Sequence, residues 1–414
     1  MEMNSFIKLR LSALMFLQFF CSGIIGPIMS LYLMKYLNFS GDRAGIILSM
    51  AGITAILSSI TGVLVSGKLI TVNRLLGICH LLSAVFITIL TFQTRFESVL
   101  FLYLLYTLSF GCTNGCVSAI VFQNQKDAGK NYGGIQMWGS IGWISAGWLF
   151  SFFWLRNLDG VSAMSRLVDS LKISGGISLL LFVYTFFLPQ KKLEFYTRSS
   201  LFPKEAIAVF KRPRNLFLAA VIFVTFCSFQ YYLFAISPFL LQSHYDEAVI
   251  MPLSGMAQIS EAVSLGILGY FITRKGYKNV MLFGLACSVL RYAALLVSPA
   301  LPVVLTALIC HGLASAFFFT AACIYLDSQC EDSTVRSSIQ QMVSVLAYGF
   351  GVSFGNLFAG TASTLFGAEI NGVVNYTAFW SIPFAVNTVT LILFLLFFKT
   401  HSKQHSTVQR GFEV

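Results

Sequence analysis

The stretch QKKLEFYTRSSLFPKEAIAVFKRPRN, Gln190–Asn215, decides how this 414-residue chain is built. It is the longest polar segment in the sequence, with Lys191-Lys192, Pro203 and the basic run Lys211-Arg212-Pro213-Arg214. On both sides of it the chain is strongly apolar. A helix needs about 20 mostly apolar residues to cross a bilayer. Runs of that length are read at about 11–34, 44–66, 75–93, 98–121, 135–155 and 173–189 before the polar stretch. They recur at about 215–240, 250–273, 279–298, 302–325, 337–362 and 376–398 after it.

Six spans, a polar linker and six more spans predict an all-α membrane protein of twelve transmembrane helices in two six-helix bundles. That is the layout of the major facilitator fold, in which repeats rock about a site at the midplane. The expected divisions are an N-terminal bundle over 1–189, a cytoplasmic linker over 190–214, a C-terminal bundle over 215–399 and a cytoplasmic tail over 400–414.

Composition supports the layout. Charged residues make up 10% of the chain against about 25% in soluble proteins. Apolar residues make up 57%, and the mean hydropathy is +0.78. These values exclude a water-soluble enzyme and a disordered chain. The 41 Phe and 32 Gly suit membrane helices packed at close range. The net charge of +11 is explained by topology. With the N-terminus inside, twenty Lys and Arg fall on inside segments, six fall outside, and Arg291 lies within a span. Both termini are therefore expected on the cytoplasmic side of the cell inner membrane. Basic residues spread over short loops do not form a nucleic-acid surface, so no nucleic-acid partner is expected. The first span follows Lys8 and Arg10 but is too long for a signal sequence, and is read as uncleaved. Nine cysteines lie mostly in apolar runs and read as buried small hydrophobes, Cys112 and Cys116 included. No metal site or cofactor is expected.

Charge in the bilayer centre costs about 2.5–3.5 kcal/mol on insertion scales, so residues that bear it usually have a task. Glu261 lies in the middle of span eight, with Gln258 three residues earlier on the same helical face. An acid beside an amide can hydrogen-bond a hydroxylated or heterocyclic ligand, and by exchanging a proton it can couple transport to a gradient. Arg291 in span nine reads first as the acid's neutralising partner, so a structural Glu261–Arg291 ion pair is the plain alternative. His311 in span ten, followed by Gly312, Ser315 and Phe317-Phe318-Phe319, suits a proton relay or a substrate contact as well as it suits packing. His80 reads as packing, and Asp327 as interfacial. Span five carries Gln136, Ser140 and Trp143 along one stripe, fit for a ligand with polar groups and a flat face. The alternative for Trp143 is a membrane-interface indole near Trp138 and Trp148. Gln230 in span seven lies in an apolar run, where an unpaired amide is costly. Asn114 and Gln123 are weaker candidates, and Gly351-x-x-x-Gly355 reads as helix packing. No P-loop, GxSxG or HExxH motif is present, so the chain reads as no enzyme.

Several of these segments resemble the bacterial nucleoside:proton symporter family. They are Gln136-Met137-Trp138-Gly139-Ser140-Ile141-Gly142, Gln258-Ile259-Ser260-Glu261, Gly276-Tyr277-Lys278-Asn279-Val280-Met281, Ile78-Cys79-His80 and Leu290-Arg291-Tyr292. A more distant resemblance is to the lactose permease group, whose acid in span eight, Arg in span nine and His in span ten match Glu261, Arg291 and His311. The resemblance implies a nucleoside site between the halves, with Ser140, Trp143, Gln230, Gln258 and Glu261 binding substrate; Gln136 and His311 join the expected substrate contacts on their own chemistry. It implies proton coupling through Glu261, Arg291 and His311. The partners expected are a nucleoside-like small molecule, protons and the lipid bilayer, for a chain acting as a monomer. The pattern departs from the family at Gln136, where a basic residue is usual, and at Leu233, His311 and Ala316. Ala314 takes the place of the acid one turn after the lactose permease His. Ser66-Gly67-Lys68 lacks the acid usual between spans two and three of facilitators.

The expected function is import of nucleosides or related small polar solutes by alternating access. Alternatives on the same fold are a sugar or aromatic-acid symporter and an uncoupled facilitator. A receptor or lipid scramblase is the alternative from another class.

Overall fold

A computed structural model describes residues 5–65, 70–124, 128–156, 160–189, 204–329, 333–368 and 373–399. The described residues are helical apart from short connections. Among them nine helices are long and apolar enough to cross a membrane by length and composition alone. One of the nine, Glu247–Val297, is broken at Gly276, where φ is +75°. Glycine takes that left-handed backbone without steric cost. The break divides the helix into spans eight and nine. Gly41–Val65 and Ala128–Phe150 supply spans two and five, which completes the expected twelve.

The other spans are Phe6–Tyr36, Val72–Leu90, Phe96–Val121 and Ser165–Phe187 in the first half. In the second half they are Pro213–Gln242, Leu301–Asp327, Ser338–Gly367 and Tyr376–Phe397. Local chemistry sets several starts. The Thr71 hydroxyl accepts from the Arg74 amide, the Asp246 carboxylate from the Ala248 amide, and the Asn375 side chain from the Ala378 amide. The sixth helix begins at Gly160, earlier than the expected start near 173. Its first turns carry Asp169 paired with Lys172 at 2.9 Å and Arg166 at 3.7 Å, so the charges are matched within the helix. Of the expected linker, 190–203 lies outside the described residues, and the remainder holds a short helix, Lys204–Lys211.

Where span one passes into span two, and span seven into span eight, the halves share one apolar core. Ile28, Leu33 and Ile47 pack there with Ile236, Met251, Leu308 and Ala359. At the opposite end each half keeps a core of its own, around Leu14 and Ile120 in the first and Ile222 and Phe318 in the second. Close packing of spans two and eleven seals the shared end. A Cβ at Gly45 would lie 2.6 Å from the Asn356 carbonyl oxygen, and one at Gly52 would lie 2.3 Å from that of Gly349. Asn356 donates to the Leu48 carbonyl at 3.2 Å, and Ser353 to that of Ser49 at 3.1 Å. The Ser237 hydroxyl donates across the halves to the Pro27 carbonyl.

Candidate functional site

Between the shared core and the separate cores lies a cavity of about 290 Å³. That is the small end of the range for ligand pockets. Span one supplies Phe19 and Ser22, and span five Ser140 and Trp143. Span eight brings Gln258 and Glu261, and span nine Ser288 and Arg291. Aromatic walls come from Phe226 and Phe229 on span seven, Phe318 and Phe319 on span ten, and Tyr348 on span eleven. A second chamber of about 350 Å³ adjoins it toward the shared end, and Ser22, Trp143, Phe229 and Gln258 line both. Gln230, His311 and Asn356 line the second chamber.

Glu261 faces the first cavity with both oxygens engaged. Gln258 Nε2 donates to Oε2 at 3.1 Å, and Ser315 Oγ donates to Oε1 at 2.7 Å. The sequence explains how Ser315 reaches it. A Cβ at Gly312 would lie 2.4 Å from both the Ala257 carbonyl oxygen and the Glu261 amide nitrogen. Only the missing side chain lets span ten approach span eight so closely. Ser315 also opens a widened π-helical turn, Ser315–Thr320, and Tyr348 sits in another, Val345–Gly351. Such turns re-aim side chains and recur at functional sites.

The expected Glu261–Arg291 ion pair is not made; among the described residues the ion pairs lie elsewhere. Arg291 is fully buried. Its Nη1 meets His311 Nδ1 at 2.8 Å, and its Nη2 donates to the Tyr292 hydroxyl at 2.9 Å. The guanidinium carbon lies 4.9 Å from the Tyr232 ring centre and 4.4 Å from that of Tyr292. Aromatic faces thus take the part expected of the acid, a contact worth about 2 kcal/mol when desolvated. His311 is itself sandwiched by Phe229 and Tyr232, with ring centres at 4.1 and 4.5 Å.

Of the residues expected at the site, Ser140, Trp143, Gln258, Glu261 and Arg291 meet at the first cavity. Gln230 and His311 lie in the second chamber, where Gln230 Nε2 donates to Asn356 Oδ1 at 3.3 Å. Gln136 lines neither and is half-buried on the span-five surface. His80 is buried against Phe110, with neither ring nitrogen hydrogen-bonded. Asn114 accepts from Gln18 inside the first bundle at 2.9 Å. The side chain of Gln123 lies outside the described residues. Gly355 packs against the Cys227 carbonyl oxygen, where a Cβ would be at 2.5 Å. Asp327 pairs with Arg336 at 4.0 Å. Among the described residues every cysteine is free, and no three His, Cys, Asp or Glu side chains cluster as metal ligands would. Sequence reasoning missed Phe19, Ser22, Thr225 and Tyr348. Ser288 was within reach of it, since it stands three residues before Arg291 on one helical face.

Two six-helix bundles around a central cavity with aromatic walls, and an acid in one wall, define a secondary transporter of the major facilitator fold. The model of the Nucleoside H+ symporter family matches residues 3–403, and the chain belongs to that family. It is 25% identical to Nucleoside permease NupG of Escherichia coli (strain K12) over 416 residues, which cover 95% of this chain and 96% of the relative. It is 24% identical to the xanthosine permease of the same organism, over the same shares of the two chains. A crystal structure of nucleoside transporter NupG superposes with a TM-score of 0.85 at 23% identity. That match covers 95% of this chain and all of the other.

Proposed function

We propose that this chain moves nucleosides across the cell inner membrane by alternating access, driven by protons. The observation that carries the proposal is the placing of Glu261 in a cavity shared by both halves, with Gln258 and Ser315 on its oxygens and Ser140 and Trp143 facing in from the other half. The acid and amide suit ribose hydroxyls or base edges, and Trp143 and Phe229 suit the flat face of a base. In this reading Glu261 binds the proton and the solute in turn. Arg291 acts as a fixed positive group across the same cavity, His311 as its partner, and Gln230 as a polar contact in the second chamber.

Residues 1–189 and 215–399 form the rocking units, 190–214 links them, and one copy suffices. Positive charge on the linker and tail supports cytoplasmic termini. The sealed end then faces outward, and the cavity stands toward the cytoplasm. The nucleoside names of the relatives favour this solute class over sugars or aromatic acids. Uptake of labelled uridine into proteoliposomes is the test. Accumulation above equilibrium under an inward proton gradient supports the proposal. Equal uptake with and without the gradient refutes coupling, and no uptake of any nucleoside refutes the solute class.

A further inference from the structure

Arg291 and His311 are bonded to each other, and the chemistry of the two groups fixes which supplies the proton. A guanidinium carries five N–H donors and no acceptor, and it stays protonated in proteins. At the 2.8 Å contact between Arg291 Nη1 and His311 Nδ1, the hydrogen therefore belongs to the arginine and Nδ1 gives the lone pair. An imidazole whose Nδ1 is a lone-pair acceptor carries its one proton on Nε2. A second proton on Nδ1 would set two positive charges against each other at a contact of 2.8 Å between largely buried groups.

Stacking fixes the plane of the ring, and a half-turn that keeps that plane would set a carbon where Nδ1 meets Arg291. Phe229 and Tyr232 hold it from both faces at 4.1 and 4.5 Å. Arg291 is held in turn by Tyr292, whose hydroxyl donates to the Ser228 carbonyl. Among the described residues no hydrogen bond is made to Nε2, and the ring itself is buried. His311 lines the second chamber beside Gln230, whose amide nitrogen is taken by Asn356.

We propose that Arg291 is a positioning residue that locks His311 in its Nε2–H form, so that the ring presents one fixed donor to the solute and selects flat heteroaromatic solutes with an acceptor on the facing edge. The selection part rests on the proposed function, because it needs the chamber to admit the solute. The lock itself does not. Since the ring is stacked on both faces, its N–H points out in the ring plane, toward the edge and not the face of a neighbouring ring. A carbonyl or an unprotonated ring nitrogen on a base edge meets that geometry.

The two parts are tested separately. Nitrogen-15 histidine spectra of the purified protein at pH 7.5, with no solute added, report the tautomer. The His311 signal is assigned by its loss in His311→Gln. The Nε2–H pattern is expected in the wild type, and a mixture of tautomers in Arg291→Met. An Nδ1–H or doubly protonated ring in the wild type overturns the lock whatever the protein transports. Should Arg291→Met fail to fold, Arg291→Gln, whose amide can still donate to Nδ1, is expected to keep the Nε2–H pattern; a mixture there also overturns the lock. For the selection, uridine uptake is the readout. His311→Phe is expected to raise KM about tenfold, the loss of one hydrogen bond, with Vmax changed less. His311→Gln, which can place an N–H near the Nε2 position, should recover most of that loss. Equal KM values for His311→Phe and the wild type overturn the selection and leave the lock to the spectra.

Discussion

The two halves meet one cavity with different chemistry. The first half brings Phe19, Ser22, Ser140 and Trp143, all neutral. The second brings Gln258, Glu261 and Arg291, and every bond that orients the charged groups is made within that half. Ser315 and Gln258 hold the acid, while His311 and Tyr292 hold the arginine. Rocking of one half against the other therefore changes what faces the acid without breaking the bonds that aim it. In the proposed transport cycle the second half is a preformed polar unit and the first serves as a movable wall.

Glu261→Gln should break that contrast most severely. Gradient-driven accumulation of uridine in proteoliposomes is expected to vanish, leaving at most equilibration. Trp143→Ala strips the movable wall of its flat face. Stacking of a base on an aromatic side chain is worth about 1–3 kcal/mol, so affinity measured by uridine competition should fall roughly tenfold or more. The sealed end gives a contrast of its own. Gly45→Val pushes a branched side chain into the Asn356 carbonyl, which a Cβ alone would meet at 2.6 Å. Overpacking of that kind costs about 1–3 kcal/mol, and a lower Tm is expected. Gly266→Ala, on the same fold with nothing within 4 Å of its Cβ, should leave Tm unchanged or slightly raised. Smallest of all is Gln136→Ala, for which uridine KM should stay within about threefold, because Gln136 lines neither chamber.

The twelve spans and the unusual polar residues within them were legible because hydrocarbon tolerates few of either kind of exception. Run length fixed the spans, and the scarcity of charge singled out Glu261, Arg291 and His311. What could not be read was rotation about each helix axis. Glu261 and Arg291 lie on successive spans and look like a pair, yet Arg291 turns toward span ten and the aromatic rings of span seven. Of the span-five stripe, Ser140 and Trp143 line the cavity and Gln136 does not. Gln136 is seven residues from Trp143, about 10.5 Å along the axis, a distance at which spacing alone does not decide whether both meet one cavity. The aromatic walls were hidden by abundance, since 41 Phe leave no signal as to which few face inward. Gly312 was seen as part of a cluster, but its reason lies in the backbone of span eight, which sequence spacing does not show.

The most direct trial of the account is charge movement. Proteoliposomes adsorbed on a solid-supported membrane are given a step of uridine, a neutral solute, at pH 7. The wild type should pass positive charge in the direction of uptake, and Glu261→Gln should pass none above background while Gln136→Ala matches the wild type. A wild-type current that survives unchanged in Glu261→Gln would contradict the assignment of the proton to that acid.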